Sequence, residues 1–299
     1  MIERPQYTAH DFHPEVLRLF DKLVHGDIDR REFLSKAARF AGILTAAGLL
    51  EALSPNFAQA QQRVTEEDSR IQSTYVEVDS PKGYGKARGY WVKPADAKGT
   101  LPIVLVIHEN RGLNPHIEDI ARRIALDNFI AFAPDALFPL GGYPGDEDAA
   151  RELFKKLEQP KTHEDFVAIF HWLKQLPEGN GKVGVIGFCY GGGIANILAT
   201  RLPDLNAAVP FYGSAPPLAL VPNIKSPLLI HFAENDERVN AGWPPYEQAL
   251  KSAGIPYEAY VYAGTQHGFN NDTTPRFDET AANLAWKRSL EFFNLHLRG

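Results

Sequence analysis

The stretch that most constrains the fold is Lys182-Val183-Gly184-Val185-Ile186-Gly187-Phe188-Cys189-Tyr190-Gly191-Gly192-Gly193-Ile194. It reads as a short apolar strand, an abrupt turn and the start of a helix that continues through Asn196, Ile197 and Leu198. Cys189 is the single cysteine of the chain, with Gly187 two residues before it and Gly191 two after. That spacing is a nucleophile elbow, G-x-Nuc-x-G, with cysteine where serine is commoner. The chemistry requires the glycines, because a side chain thrust out of so tight a turn leaves no room for bulky neighbours. The turn also frees backbone N–H groups at the helix start, which favour a thiolate and an oxyanion beside it. A phosphate-binding loop fits less well, since its lysine and its Ser/Thr are absent.

The rest of the chain supplies a setting for this corner. From Thr74 onward the pattern is a hairpin (74–78 and 87–92), then apolar strands at 103–107, 129–133, 207–211, 228–232 and 257–262. Helical spacing falls between and after them, near 117–127, 146–157, 163–176, 245–253 and 279–296. Continuous apolar strands alternating with helices predict an α/β domain: a mostly parallel central sheet covered by helices on both faces. In such sheets functional groups gather at the carboxyl ends of strands. Four clusters fall there: His108-Glu109-Asn110-Arg111, Cys189, the loop holding Asp236, and Gln266-His267-Gly268-Phe269. Nucleophile, acid, histidine is the chain order of the α/β-hydrolase fold.

Residues 1–62 differ in texture from 63–299, which read as one domain. Residues 13–25 carry Val16, Leu17, Leu19, Phe20 and Leu23 at helical spacing. Arg30-Arg31, a following apolar run over 40–50 and Ala58-Gln59-Ala60 together predict a twin-arginine-like export signal and a periplasmic address. The competing reading of the same residues is a helical arm that stays and packs on the domain or on a partner subunit. Every expected sheet strand lies downstream, so a chain lacking 1–62 is expected to fold and to keep its activity.

With these residues in view, the sequence resembles the dienelactone hydrolase family over about residues 75–298, on G-F-C-Y-G-G-G, H-E-N-R-G, the Asp236 loop and H-G-F. The resemblance implies an α/β-hydrolase fold and a hydrolase of carboxylic esters or lactones. It implies Cys189 as nucleophile, His267 as base, Asp236 as its orienter and Glu109 as an accessory group engaging the thiol. The backbone N–H groups of Tyr190 and Asn110 would form the oxyanion hole. Family members that take small anionic lactones clamp the carboxylate with arginines. Here Asn271 stands at one such position, and Arg151 or Arg111 is left to supply the cation, so a weaker preference for carboxylate-bearing lactones is expected. Tyr143, Tyr212, Trp243 and Phe269 are the candidate aromatic lining of the substrate pocket.

The remaining numbers narrow the partners. A net charge of −6 disfavours nucleic acid and anionic membranes, and the expected partner is a small-molecule ester or lactone; the sequence is compatible with a homodimer. No apolar run is long enough for a transmembrane helix. One cysteine, and no second histidine at helical spacing from His108, call for no metal or other cofactor. A non-hydrolytic protein on the same fold, with Cys189 as a redox-sensing thiol, is the rival reading; it lacks a resolving cysteine within the chain.

Overall fold

In the computed structural model, which describes residues 7–55 and 62–298, two bodies of unequal size meet at Cys189. The smaller is built from the N-terminal residues. Helix α1 (Pro14–His25) opens with Pro14 in its first turn and His13 capping Glu15 N–H, and it closes at Gly26, where φ is +83°. Val16, Leu17, Leu19, Phe20, Leu23 and Val24 are its buried face. Helices α2 (Arg30–Ala37) and α3 (Ala46–Leu53) complete a core of their own with Phe33, Ala37, Leu49, Leu50 and Leu53. Within it the apolar run expected over 40–50 is no continuous helix: residues 38–40 form a single tight turn and α3 begins only at Ala46. Arg30 lies in α2 and pairs with Asp148 of the larger body at 2.7 Å. Ala58-Gln59-Ala60 falls outside the described residues.

The larger body contains the sheet. Strands β1 (Ile71–Ser80) and β2 (Gly85–Pro94) form the antiparallel hairpin. Then come β3 (Leu101–Ile107), α4 (Pro115–Leu126), β4 (Ile130–Pro134), α5 (Glu147–Phe154), α6 (Gln159–Leu173) and β5 (Gly179–Phe188). They are followed by α7 (Tyr190–Arg201), β6 (Ala207–Phe211), β7 (Leu228–Asn235), α8 (Glu237–Asn240), α9 (Trp243–Ala253), β8 (Tyr257–Gln266) and α10 (Glu279–Leu297). The eight strands lie in the order β1-β2-β4-β3-β5-β6-β7-β8, and β3 to β8 pair in parallel. This is the α/β-hydrolase fold. Every residue of β3 is buried, as expected of a strand with helices on both faces. One apolar layer joins β3 and β5 to α6 and α7, and the other joins the opposite face to α4 and α10. No helix among the described residues is long and apolar enough to cross a membrane.

Two departures from the sequence pattern matter for the site. The strands after the elbow run further than their apolar runs, β7 to Asn235 and β8 to Gln266, which carries Asp236 and His267 to the same edge. The small body is also docked onto the sheet's carboxyl edge. Asn110 Nδ2 and Arg111 donate to Val24 O at 2.8 and 3.5 Å, Arg18 meets Glu237 at 3.3 Å, and Arg276 stacks over the Phe20 ring at 5.1 Å.

Candidate active site

The corner between β5 and α7 holds Cys189 at φ +55°, ψ −111°, a conformation that L-residues adopt only when the surroundings impose it. The surroundings are backbone. A Cβ on Gly187 would lie 2.0 Å from Gly191 O, and one on Gly191 would lie 2.3 Å from Ile107 O. Glycine is therefore required at both places, and the sulfur is held where the strand ends. Tyr190 is the first residue of α7, so its N–H has no acceptor inside the helix and faces the corner. Asn110 sits on the loop after β3, on the other side of the same cavity.

His267 follows β8, and its Nδ1 meets Asp236 Oδ2 at 2.5 Å. Both side chains are almost fully buried. Asp236 also caps α8 through Oδ1, which accepts Val239 N–H at 3.2 Å. One carboxylate thus fixes the histidine ring and is itself fixed by a helix start. His267 Nε2 is buried with no hydrogen-bond partner, and the Tyr212 hydroxyl is in the same condition.

A second imidazole stands at the sulfur, and it comes from the small body. His25 Nε2 lies 3.3 Å from Cys189 Sγ. Its Nδ1 donates to Asp21 O at 2.8 Å and lies 3.3 Å from Asp21 Oδ1, one helical turn back. The rings of His25 and His267 meet edge to face with centroids 4.7 Å apart. The sulfur and one nitrogen of each histidine all lie within 4.8 Å of one another. Such N/S donors suit a borderline metal ion, but the Arg238 guanidinium, 2.8 Å from His25 Nε2, opposes a cation there.

Burial works against charge on Cys189, but His267 and then His25 outweigh it and bring the thiol well below its ordinary range. Burial likewise opposes charge on His267, and Cys189 and Asp236 reverse this and raise it. For His25, burial is again opposed, chiefly by the Cys189 thiolate and by Asp21, and the net direction is upward. The Arg238 contact limits that rise. A guanidinium N–H at 2.8 Å competes for the lone pair on Nε2, so Arg238 in place opposes a proton there.

The sulfur opens onto a cavity of about 360 Å³, within the range of small-molecule sites. His25, Asn110, Tyr190 and Tyr212 line it beside Cys189, and Arg151 and Arg238 contribute charge. Among the residues expected to bind substrate, Arg151 and Tyr212 are therefore at the cavity. The others are placed elsewhere. Arg111 is buried against Glu147 (3.4 Å) and Asn110 Oδ1 (2.5 Å), and Tyr143 donates to Glu147. Trp243 packs on Phe232, and Phe269 lies fully buried among Tyr212 and Tyr262. Asn271 is buried and donates to Glu109 Oε2 at 2.9 Å. Glu109, expected to engage the thiol, accepts through Oε2 from Asn271, and the side chain 3.3 Å from the sulfur is His25. The pairing of His25 with Asp21 had a signal in the sequence, an acid and a histidine at i, i+4 on one amphipathic helix, but nothing local says where that helix docks.

Comparison with known proteins gives the family. The model of the dienelactone hydrolase family matches residues 87–297, most of the chain. The chain belongs to the dienelactone hydrolase family. A separate model described as YqhI-like matches residues 4–41, a stretch that takes in α1 and α2. An Escherichia coli K12 protein named "Putative hydrolase fragment YghX" is 50% identical over 115 residues, 38% of this chain and 97% of that one. A Yersinia pestis protein named "Putative carboxymethylenebutenolidase" is 30% identical over 221 residues, 69% of this chain and 83% of its own length. Among solved structures, a Klebsiella pneumoniae "Putative Dienelactone Hydrolase" superposes with a TM-score of 0.66 at 28% identity, covering 74% of this chain and 98% of its own.

Proposed function

We propose that this member of the family hydrolyses carboxylic esters or lactones through an acyl-thioenzyme at Cys189. The observation that carries the reading is the strained cysteine at φ +55°, its thiol brought below the ordinary range by the histidine that Asp236 holds. The thiolate adds to the acyl carbon, forming the S–C bond, and the carbonyl oxygen takes the developing charge beside the N–H groups of Tyr190 and Asn110. The C–O bond to the leaving group then breaks, and that oxygen leaves with a proton from an active-site imidazole. Water, losing its proton to His267 Nε2, attacks the thioester, the C–S bond breaks and the acid departs. The unpartnered Nε2 of His267 and the Tyr212 hydroxyl are groups that substrate or water would satisfy on binding.

The substrate is read as a short acyl ester or lactone, given a cavity of about 360 Å³ with mixed apolar and cationic walls. The test is a screen of chromogenic short-chain esters and of neutral and anionic lactones, with intact-mass detection of an acyl adduct. An adduct on the wild type that is absent from Cys189→Ala is expected; full turnover by Cys189→Ala would sink the reading. Export through Arg30-Arg31 is kept as a separate proposal, supported by the motif alone. A reporter fusion delivered equally well with lysine at both positions would remove it.

A further inference from the structure

The imidazole nitrogen 3.3 Å from the sulfur is that of His25, from the N-terminal helix, and His267 stands beside it, within 4.8 Å of the same sulfur. His25 has the attributes of an acid–base residue. Its Nδ1 is anchored on Asp21, which fixes the tautomer with the lone pair on Nε2, toward the sulfur. Its helix ends at that residue, and a helix C-terminus favours a positive imidazole. The helix is tied down on both sides, by Asn110 and Arg111 on Val24 O and by Arg238 on the ring itself. The cavity remains open with the helix in place, and His25 lines it together with Cys189. The small body is thus a wall of the site, and Cys189, although buried, lines the cavity.

We propose that His25, braced by Asp21, is a second catalytic base at Cys189, so that the two histidines divide the two half-reactions. This rests on the reading of Cys189 as the nucleophile. In the first half-reaction Arg238 leaves the ring, the S–H proton passes to His25 Nε2, and the thiolate so formed bonds to the acyl carbon. The C–O bond breaks, and the imidazolium of His25 returns that proton to the leaving oxygen. Acylation removes the thiolate charge. In the second half-reaction His267, held by Asp236, takes a proton from water as hydroxide adds to the thioester. The C–S bond breaks, and the departing sulfur recovers the proton that His267 took from water. No oxidant or reductant is needed, and water is the one co-reactant. Arg238 bears on the first step: its N–H occupies the Nε2 lone pair at rest, and an anionic group entering the cavity would draw it off the ring and free His25 to accept the proton.

The test uses the full chain, with His25→Gln, His25→Ala, Asp21→Asn, His267→Gln and Cys189→Ala. Stopped-flow with a chromogenic acyl ester separates the burst (acylation) from the steady state (deacylation). His25→Gln is expected to slow the burst by about 100-fold, within the range of a general base, while acyl-enzyme formed slowly still turns over. His267→Gln is expected to accumulate acyl-enzyme, seen by intact mass. Added imidazole should restore part of the burst to His25→Ala, which a merely structural loss would not allow. Iodoacetamide labelling against pH gives a readout independent of ester turnover. The groups facing His25 are Asp21 on its own helix, Cys189, His267 and Arg238, with Arg276 near Asp21. Removing His25, or weakening it through Asp21→Asn, should move the labelling curve of Cys189 to higher pH. A burst and a labelling curve unchanged in His25→Gln, or a faster burst, would overturn the proposal while Cys189→Ala still abolishes turnover. Full activity in Cys189→Ala would instead overturn the nucleophile reading on which it rests.

Discussion

Replacing Asp236 by asparagine changes one charge and almost no volume, and the structure fixes what it disturbs. The Oδ1 cap on Val239 N–H can survive, since an amide oxygen also accepts. The 2.5 Å contact between Oδ2 and His267 Nδ1 cannot, because an amide N–H there faces a ring N–H. A buried charge-assisted hydrogen bond contributes about 1.5–3 kcal/mol, and a forced tautomer change costs up to about 10⁴ in kcat. Asp236→Asn should therefore lower kcat/KM by at least about tenfold. The stability effect has a sign. The folded protein raises the pKa of His267, in part through Asp236, so this stabilisation is complete below the ordinary histidine range and is lost as pH rises through the raised value. The variant should lose about 3–6 °C of Tm near pH 5.5, taking about 2 °C per kcal/mol for a chain of this size. The loss should shrink toward alkaline pH. Thermal scans across pH, with kcat/KM on a short acyl ester, measure both. A loss of Tm that grows with pH, or activity within threefold of wild type, would refute the reasoning.

Gly187→Ala places a methyl 2.0 Å from Gly191 O, so the elbow must distort; activity should fall about 100-fold, with a drop in Tm beyond the scatter of replicate scans as the check on strain. Glu109→Gln should leave the iodoacetamide labelling curve of Cys189 within about threefold of wild type, because Asn271 and not the thiol holds that carboxylate; a marked shift to lower pH would restore Glu109 to the sulfur. Arg151→Gln, at the cavity wall, should reduce kcat/KM for an anionic lactone about tenfold relative to its neutral methyl ester, and equal losses on both would assign Arg151 to structure. Phe33→Ala empties a fully buried position in the small body's core at a cost of about 3–5 kcal/mol. It should slow acylation as His25→Gln does, and an unchanged burst would separate the small body from catalysis.

Sequence alone determined the elements whose logic is local. The elbow is written in Gly187 and Gly191, because only glycine survives the backbone contacts there. The parallel strands are written in unbroken apolar runs, and Asp236 and His267 follow two of those runs closely, although β7 and β8 extend past them to Asn235 and Gln266. Helix α1 was legible from Val16 to Leu23. Which groups share the sulfur was decided by tertiary structure. Glu109 lies next to the right loop in sequence, yet Asn271, 162 residues away, claims its carboxylate. His25 lies 164 residues from Cys189, in a segment whose composition suggests removal, yet its ring makes the sulfur's hydrogen bond. The candidate aromatics Trp243 and Phe269 went to the core because an apolar ring gains as much from burial there as in a pocket wall. Periodicity records which face of a helix is buried. It does not record which surface buries it, and at Cys189 that surface supplies the second imidazole.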